Sequence, residues 1–196
     1  MKNITPKDTR YVPFTQQQSC CVPTSMSIVM YKLGIPLIPP ELLGYHLGLI
    51  LNKKYKNLFW NVRTGKRPKA GYGTRVYEKR YNTNTVFKKL KIPLKTTDYS
   101  INDFTKKELI SFISDNIKKD KDLIVLLNSD VLNNTNNNNG HACVIDRIYP
   151  SKDIIRLIDP SEKQAKWREM KINKFIKAMK KHPSGQGRLT KMERIK

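Results

Sequence analysis

Cys20-Cys21-Val22-Pro23-Thr24-Ser25-Met26-Ser27-Ile28-Val29-Met30-Tyr31-Lys32-Leu33-Gly34 is the stretch whose reading decides the fold. Pro23 suits the first turn of a helix, Met26, Val29, Met30 and Leu33 recur at helical spacing, and Gly34 with Pro36 stops the run. The helix therefore starts just after Cys21 and puts a thiol at its N-terminal end. That end carries the positive pole of the helix, which favours a thiolate over a thiol.

Outward from this helix, Pro39 and Pro40 precede a second helix expected over 41–51, with Leu43, Leu47, Ile50 and Leu51 on its buried side and His46 within it. Residues 52–82 hold ten Lys or Arg against one acid, Glu78, and include Gly65, Gly71, Gly73, Pro68, Trp60 and four tyrosines, as expected of a long ordered loop. A short helix over 83–90, a strand over 94–99 and a helix over 105–117 follow, the last with Leu109, Ile110, Ile113 and Ile117 at 3.6-type spacing. The apolar run within 122–127 reads as a buried strand. Beyond the Asn-rich stretch 133–139, segments 140–145 and 154–158 read as a strand pair joined through 149–153. A basic helix is expected over 171–181, between an extended arm at 1–12 and a loose basic tail at 183–196. No repeat or internal boundary divides the chain, so a single domain over 1–196 is expected.

The composition narrows the setting. With 196 residues and 38% hydrophobic content the chain can bury one core, and its formal net charge of +22 excludes a neutral surface. The charge implies an anionic partner, nucleic acid or acidic protein, reached through 52–82 and 163–196. Lys53, Lys54, Lys56, Arg63, Lys66, Arg67, Lys69, Arg75, Lys79 and Arg80 interleave with Tyr55, Phe59, Trp60, Tyr72, Tyr77 and Tyr81, a combination able to hold a phosphate backbone and stack bases. Two plainer readings compete: a solvated loop that packs its aromatics on the core, and codon bias from an AT-rich genome, which the many Lys and Asn residues fit. No stretch reaches the roughly 18 apolar residues of a membrane span, and the N-terminus has no apolar signal core, so an intracellular protein is expected. Cys20, Cys21 and Cys143 are an odd count with two adjacent, which fits free thiols in a reducing compartment.

Four residues form a chemical constellation in chain order: Gln16, Cys21, His141 and Asp159. His141, opening a strand, would take the thiol proton and later protonate a leaving group, and Asp159, ending the next strand, would orient its ring. The Gln16 amide and the Cys21 N–H would face a developing oxyanion. Cys143, inside an apolar strand, is expected to be an inert small hydrophobe; His46 is expected in the core or on the surface, and His182, among lysines, in solvent. Cysteine and histidine spacings do not match structural zinc, Gly71-Tyr72-Gly73-Thr74-Arg75 does not match a phosphate loop, and no cofactor or metal is required.

The stretch from Cys21 to Gly34 resembles the Cys-Gly-Pro-Thr-Ser helix start of papain-like cysteine peptidases, particularly the bacteriocin-processing, double-glycine-leader type. Glu108 onward as a helix, the apolar strand at 123–127, Gly140-His141, and Ile158-Asp159-Pro160 match the rest of that pattern. The resemblance implies an α+β papain-like fold, a helical part carrying Cys21 packed on an antiparallel sheet carrying His141 and Asp159, and hydrolysis of a peptide or isopeptide bond in a protein or peptide substrate. Val22 stands where the family has Gly. Cys20 is therefore an alternative nucleophile, although Cys21 keeps Pro23-Thr24-Ser25 in register. The family's oxyanion Gln lies six residues before the Cys, where this chain has Thr15; Gln16 is the nearest substitute, with Gln17 one further on. Leader-processing peptidases of this type are fused to membrane exporters, and the lack of a membrane segment here argues against that substrate. The same fold hosts acyltransferases and inactive relatives, and a nucleic-acid-binding role on this scaffold is the alternative.

Overall fold

The computed structural model describes residues 9–58, 62–185 and 187–195. The elements run α1 (Cys21–Lys32), α2 (Pro40–His46), β1 (Ile50–Leu51), β2 (Arg63–Thr64), α3 (Thr83–Lys89), β3 (Leu94–Ser100), α4 (Lys106–Lys118), β4 (Asp122–Asn128), α5 (Ser129–Asn133), β5 (Gly140–Tyr149), β6 (Ile154–Asp159), β7 (Lys166–Lys171), α6 (Ile172–Lys180) and β8 (Arg188–Arg194). Six strands form one antiparallel sheet in the order β3-β8-β4-β5-β6-β7, and β1 and β2 make a separate parallel pair.

Strand alternation divides the core into two layers. On one face Ile124, Leu126, Ala142, Val144, Ile158 and Met192 meet α1, whose residues Val22, Met26, Val29 and Met30 are buried. On the other face Leu123, Val125, Leu127, Ile145, Leu157 and Leu189 meet Leu109 and Ile113 of α4 and Phe175 and Met179 of α6. β4 is covered on both faces and all seven of its residues are buried, which explains its continuous apolar run.

Local sequence accounts for the helix ends that matter. Thr105 accepts from the Glu108 N–H while the Glu108 carboxylate accepts from the Thr105 N–H, a capping box at the start of α4. α1 starts differently: Cys20 supplies no side-chain cap, and the Thr24 N–H donates to the Cys20 carbonyl at 2.9 Å. Pro23 has no N–H, so the amides of Cys21 and Val22 are the donors left at this helix end.

Several expectations are corrected. The second helix stops at His46 because Leu47 and Gly48 turn out of it, Gly48 at φ +75°. The chain then enters β1, with Leu49 and Leu51 buried. The tail expected to be loose holds β8, hydrogen-bonded between β3 and β4. Arg188, Lys191, Glu193 and Arg194 hide a strand that buries Leu189 on one face and Met192 on the other. β7 and α5 are further unexpected elements. Of the N-terminal arm, residues 1–8 lie outside the described residues. Residues 9–11 are anchored: the Tyr11 hydroxyl donates to buried Asp122 at 2.7 Å and the Arg10 N–H to Asp146 at 2.8 Å. Phe59 and Trp60 of the aromatic-basic loop, with Gln186 and Lys196 of the tail, also lie outside the described residues. Among the described residues no helix is long and apolar enough to cross a membrane.

The place of β8 is testable with one methyl group. A Cβ at Gly187 would collide with the backbone carbonyl of Met179. Gly187→Ala should therefore destabilise the protein by about 1–3 kcal/mol in urea unfolding followed by circular dichroism, as overpacking does elsewhere. An unchanged midpoint would mean that the tail is free of α6.

Candidate active site

Sheet register brings the first candidates together. Val144 pairs with Ile158, so Asp159, the last residue of β6, lies beside the start of β5, where His141 pairs with Leu127 of β4. His141 Nε2 and Asp159 Oδ1 are 2.7 Å apart. The second oxygen, Asp159 Oδ2, accepts from Arg168 Nε at 2.9 Å and lies 2.8 Å from its Nη2. Arg168 in turn holds the Leu132 carbonyl and the Asn133 side chain, tying the pair to the end of α5. Nothing in the sequence singled out Arg168, because β7 has no alternating apolar pattern to announce it.

Charge is stabilised on both members of the pair. Burial works against a charged His141 ring, but Cys143, the Asp159 hydrogen bond and Cys21 outweigh it and hold the ring's pKa well above the ordinary histidine value. Burial likewise opposes a charged Asp159; hydrogen bonds and charges from His141 and Arg168 overcome it and bring the carboxyl down to about 2. Both shifts favour the charged forms, an imidazolium against a carboxylate.

The thiols divide clearly. Cys21 is partly exposed and lines the same cleft as His141. Cys20 is fully buried against Leu49 and Leu51, and burial, then the neighbouring Cys21, pushes its pKa far up. Cys143 is buried too, but it is not remote. Its Sγ, a ring nitrogen of His141 and an oxygen of Asp159 all lie within 4.8 Å of one another. Burial raises its pKa against the pull of His141.

Cys21, His141 and Asp159 open onto a cleft of about 710 Å³ whose lining also includes Gln16, Tyr72 and Glu162. Gln16 is only 8% exposed and donates from Nε2 to Glu162 Oε1 at 3.2 Å. Gln17 is exposed, and Thr15 accepts from the Ala165 N–H. Sequence reasoning missed Glu162, three residues beyond Asp159, because a lone acid after Asp-Pro has no distinguishing pattern.

His182 departs from expectation too. Expected in solvent, it is buried, and it lines a small pocket with Cys21, His141 and Gly140. Its Nδ1 accepts from the Ser184 N–H at 3.3 Å. A Cβ at Gly140 would approach its Nε2 to 2.7 Å, so the glycine before His141 is a packing requirement. His46 lies apart, edge-on to Tyr45.

Part of the basic stretch is structural. Arg75 is buried and donates to the carbonyls of Gly71 and Thr74. Arg63 lies over the rings of both Tyr45 and Tyr81. Arg67 holds the Asn-rich loop through Asn137, Asn138 and Asn139. The exposed Lys53, Lys54 and Lys56 have no such tie among the described residues beyond Lys54 over Tyr55.

Comparison with known proteins bears on the family and the fold. A model of the Peptidase C39 like family matches residues 9–182, so the chain belongs to that family. The crystal structure of a protein from Bacillus anthracis assigned as a C39-like peptidase superposes with a TM-score of 0.58 at 18% identity, covering 94% of this chain and 96% of the other. No curated protein sequence matches the chain. The fold is therefore the papain-like α+β arrangement of this cysteine-peptidase family.

Acid stability checks the placement of His182. Burial, then Arg188, lowers its pKa from 6.5 to about 4. The unfolded chain therefore binds a proton between those values that the native state refuses, and stability present above pH 6.5 is lost as pH falls toward 4. Between pH 7 and pH 5 this site should cost about 2 kcal/mol. The acid-induced fall in urea stability should shrink by that amount in His182→Gln, whereas an equal fall in both proteins would mean that His182 is solvated.

Proposed function

We propose that this C39-like family member is a cysteine peptidase that cleaves a peptide or isopeptide bond through a thioester on Cys21. The observation that carries the reading is the His141–Asp159 pair, charge-stabilised and beside the Cys21 thiol at the start of α1. In the proposed cycle His141 holds the proton from Cys21. The thiolate attacks the substrate carbonyl, a C–S bond forms, and the carbonyl electron pair moves to oxygen. Gln16 Nε2 and the Cys21 N–H face that oxygen. His141 then protonates the leaving amine as the C–N bond breaks. A water that gives a proton to His141 attacks the thioester, releases the acid and restores the thiolate–imidazolium pair. Asp159 fixes the ring and stabilises its charge, and Arg168 holds Asp159.

Substrate charge follows from the same cleft. Lys163 and Lys166 line it, which favours acidic segments of a protein substrate and supports the role expected for the basic surface. kcat/KM on acidic peptides should fall as salt rises, while a neutral peptide of equal length should show little change. Equal salt responses would remove the charge preference.

Variants test the chemistry. Cys21→Ala should abolish hydrolysis of a fluorogenic peptide, and Cys20→Ala should retain it because that thiol faces Leu49 and Leu51. Asp159→Asn should fold and lower kcat by between about 10-fold and 10⁴-fold, the range seen when a residue that orients a ligand or a catalytic His is replaced. Full activity in a folded Asp159→Asn protein would reduce that residue to a turn.

A further inference from the structure

Resting on the cysteine-peptidase reading above, we propose that Glu162 is a positioning residue that sets the oxyanion-binding side of the cleft. The end of β6 and the segment after it carry a carboxylate for each side of the site: Asp159 holds His141, and three residues later Glu162 holds Gln16. Glu162 Oε1 also accepts from the Ser19 N–H at 3.1 Å. Ser19 lies two residues before Cys21 in left-handed backbone at φ +59°, inside a turn closed by the Cys20 N–H donating to the Gln17 carbonyl at 3.0 Å. A non-glycine residue keeps such a conformation only where its surroundings impose it. Glu162 joins that turn to Gln16 and so fixes the oxyanion-side amide, while the first turn of α1 holds the nucleophile.

The chemistry depends on which end of an amide faces the substrate. Gln16 offers an acceptor oxygen on one side and two N–H donors on the other, and only the donors stabilise a developing oxyanion. A carboxylate only accepts, so Glu162 takes one Nε2 hydrogen and leaves the second for the substrate oxygen. The Gln16 Oε1 atom is buried without a hydrogen-bond partner, and a flipped amide would set that oxygen against the Glu162 carboxylate. The charge of Glu162 also repels a nearby oxyanion. The proposal is that orientation outweighs repulsion.

The test uses the full chain with Glu162→Ala and Glu162→Gln, a fluorogenic peptide, a peptide aldehyde and iodoacetamide. The aldehyde adds the Cys21 thiolate to its carbonyl and builds an oxygen that needs the donors. Iodoacetamide loses iodide as the C–S bond forms and builds no oxyanion. Glu162→Ala should lower kcat by between about 10-fold and 10²-fold, at or below the loss for removing an oxyanion donor outright. KM should stay within about twofold, aldehyde binding should weaken by a factor similar to kcat, and alkylation of Cys21 should stay within about twofold. Glu162→Gln still offers an acceptor but also admits the flipped amide, so it should fall between wild type and Glu162→Ala; it keeps the proposal testable if the alanine variant does not fold. Parallel losses in alkylation and kcat, or an unchanged or raised kcat, would overturn the positioning role. A wild-type protein that neither binds the aldehyde nor shows Cys21-dependent hydrolysis would remove the peptidase reading itself, and this inference with it.

Discussion

The 2.7 Å contact between His141 and Asp159 is the interaction around which the rest of the site is arranged. It exists because β5 and β6 pair antiparallel with Val144 opposite Ile158, which brings the first residues of one strand to the last residue of the other. A slip of one residue would send Asp159 to the opposite face of the sheet and leave the imidazole alone. The hairpin through Tyr149 and Asp153, the latter in left-handed backbone at φ +53°, sets the register at the far end, and an irregularity between Ile145 and Arg147 shifts it by one residue before the site.

Burying such a pair is costly unless its remaining valences are filled. Arg168 fills those of Asp159, and the Leu132 carbonyl and Asn133 side chain at the end of α5 hold Arg168 in place. The same logic repeats away from the cleft. Asp146 and Arg156 meet at 2.6 Å in the core, and Asp122 gathers Tyr11 and Lys32 at 2.7 Å each, so the segment leading to Gln16 is fastened to the central strand. Gln16 and Cys21 thus follow a segment anchored to β4 through Asp122 and to β5 through Asp146.

The legible parts of this protein were those with a strong period or a specific local pattern. α4 buries a regular apolar face, α1 and β4 are buried along continuous runs, and the Thr105–Glu108 box marks a start without any tertiary information. Cys21, His141 and Asp159 could be named because each stands at an element boundary in a characteristic order. β8 and His182 share one obstacle: the Lys and Arg around them suggest solvent, whereas the β8 backbone completes the sheet and the His182 ring packs against Gly140. Arg168 and Glu162 were invisible because their roles arise from contacts across more than one hundred residues or across a strand pair, which no local spacing encodes.

The central claim is that one thiol of the three is prepared for attack by its place at the start of α1 beside His141. A limited dose of iodoacetamide applied to the native protein across pH, with the labelled cysteine identified by mass spectrometry, tests it most directly. Cys21 should be alkylated first and near neutral pH, with Cys20 and Cys143 protected until unfolding, and His141→Ala should slow the reaction at neutral pH. Equal labelling of all three thiols, appearing only when the protein unfolds, would contradict the account.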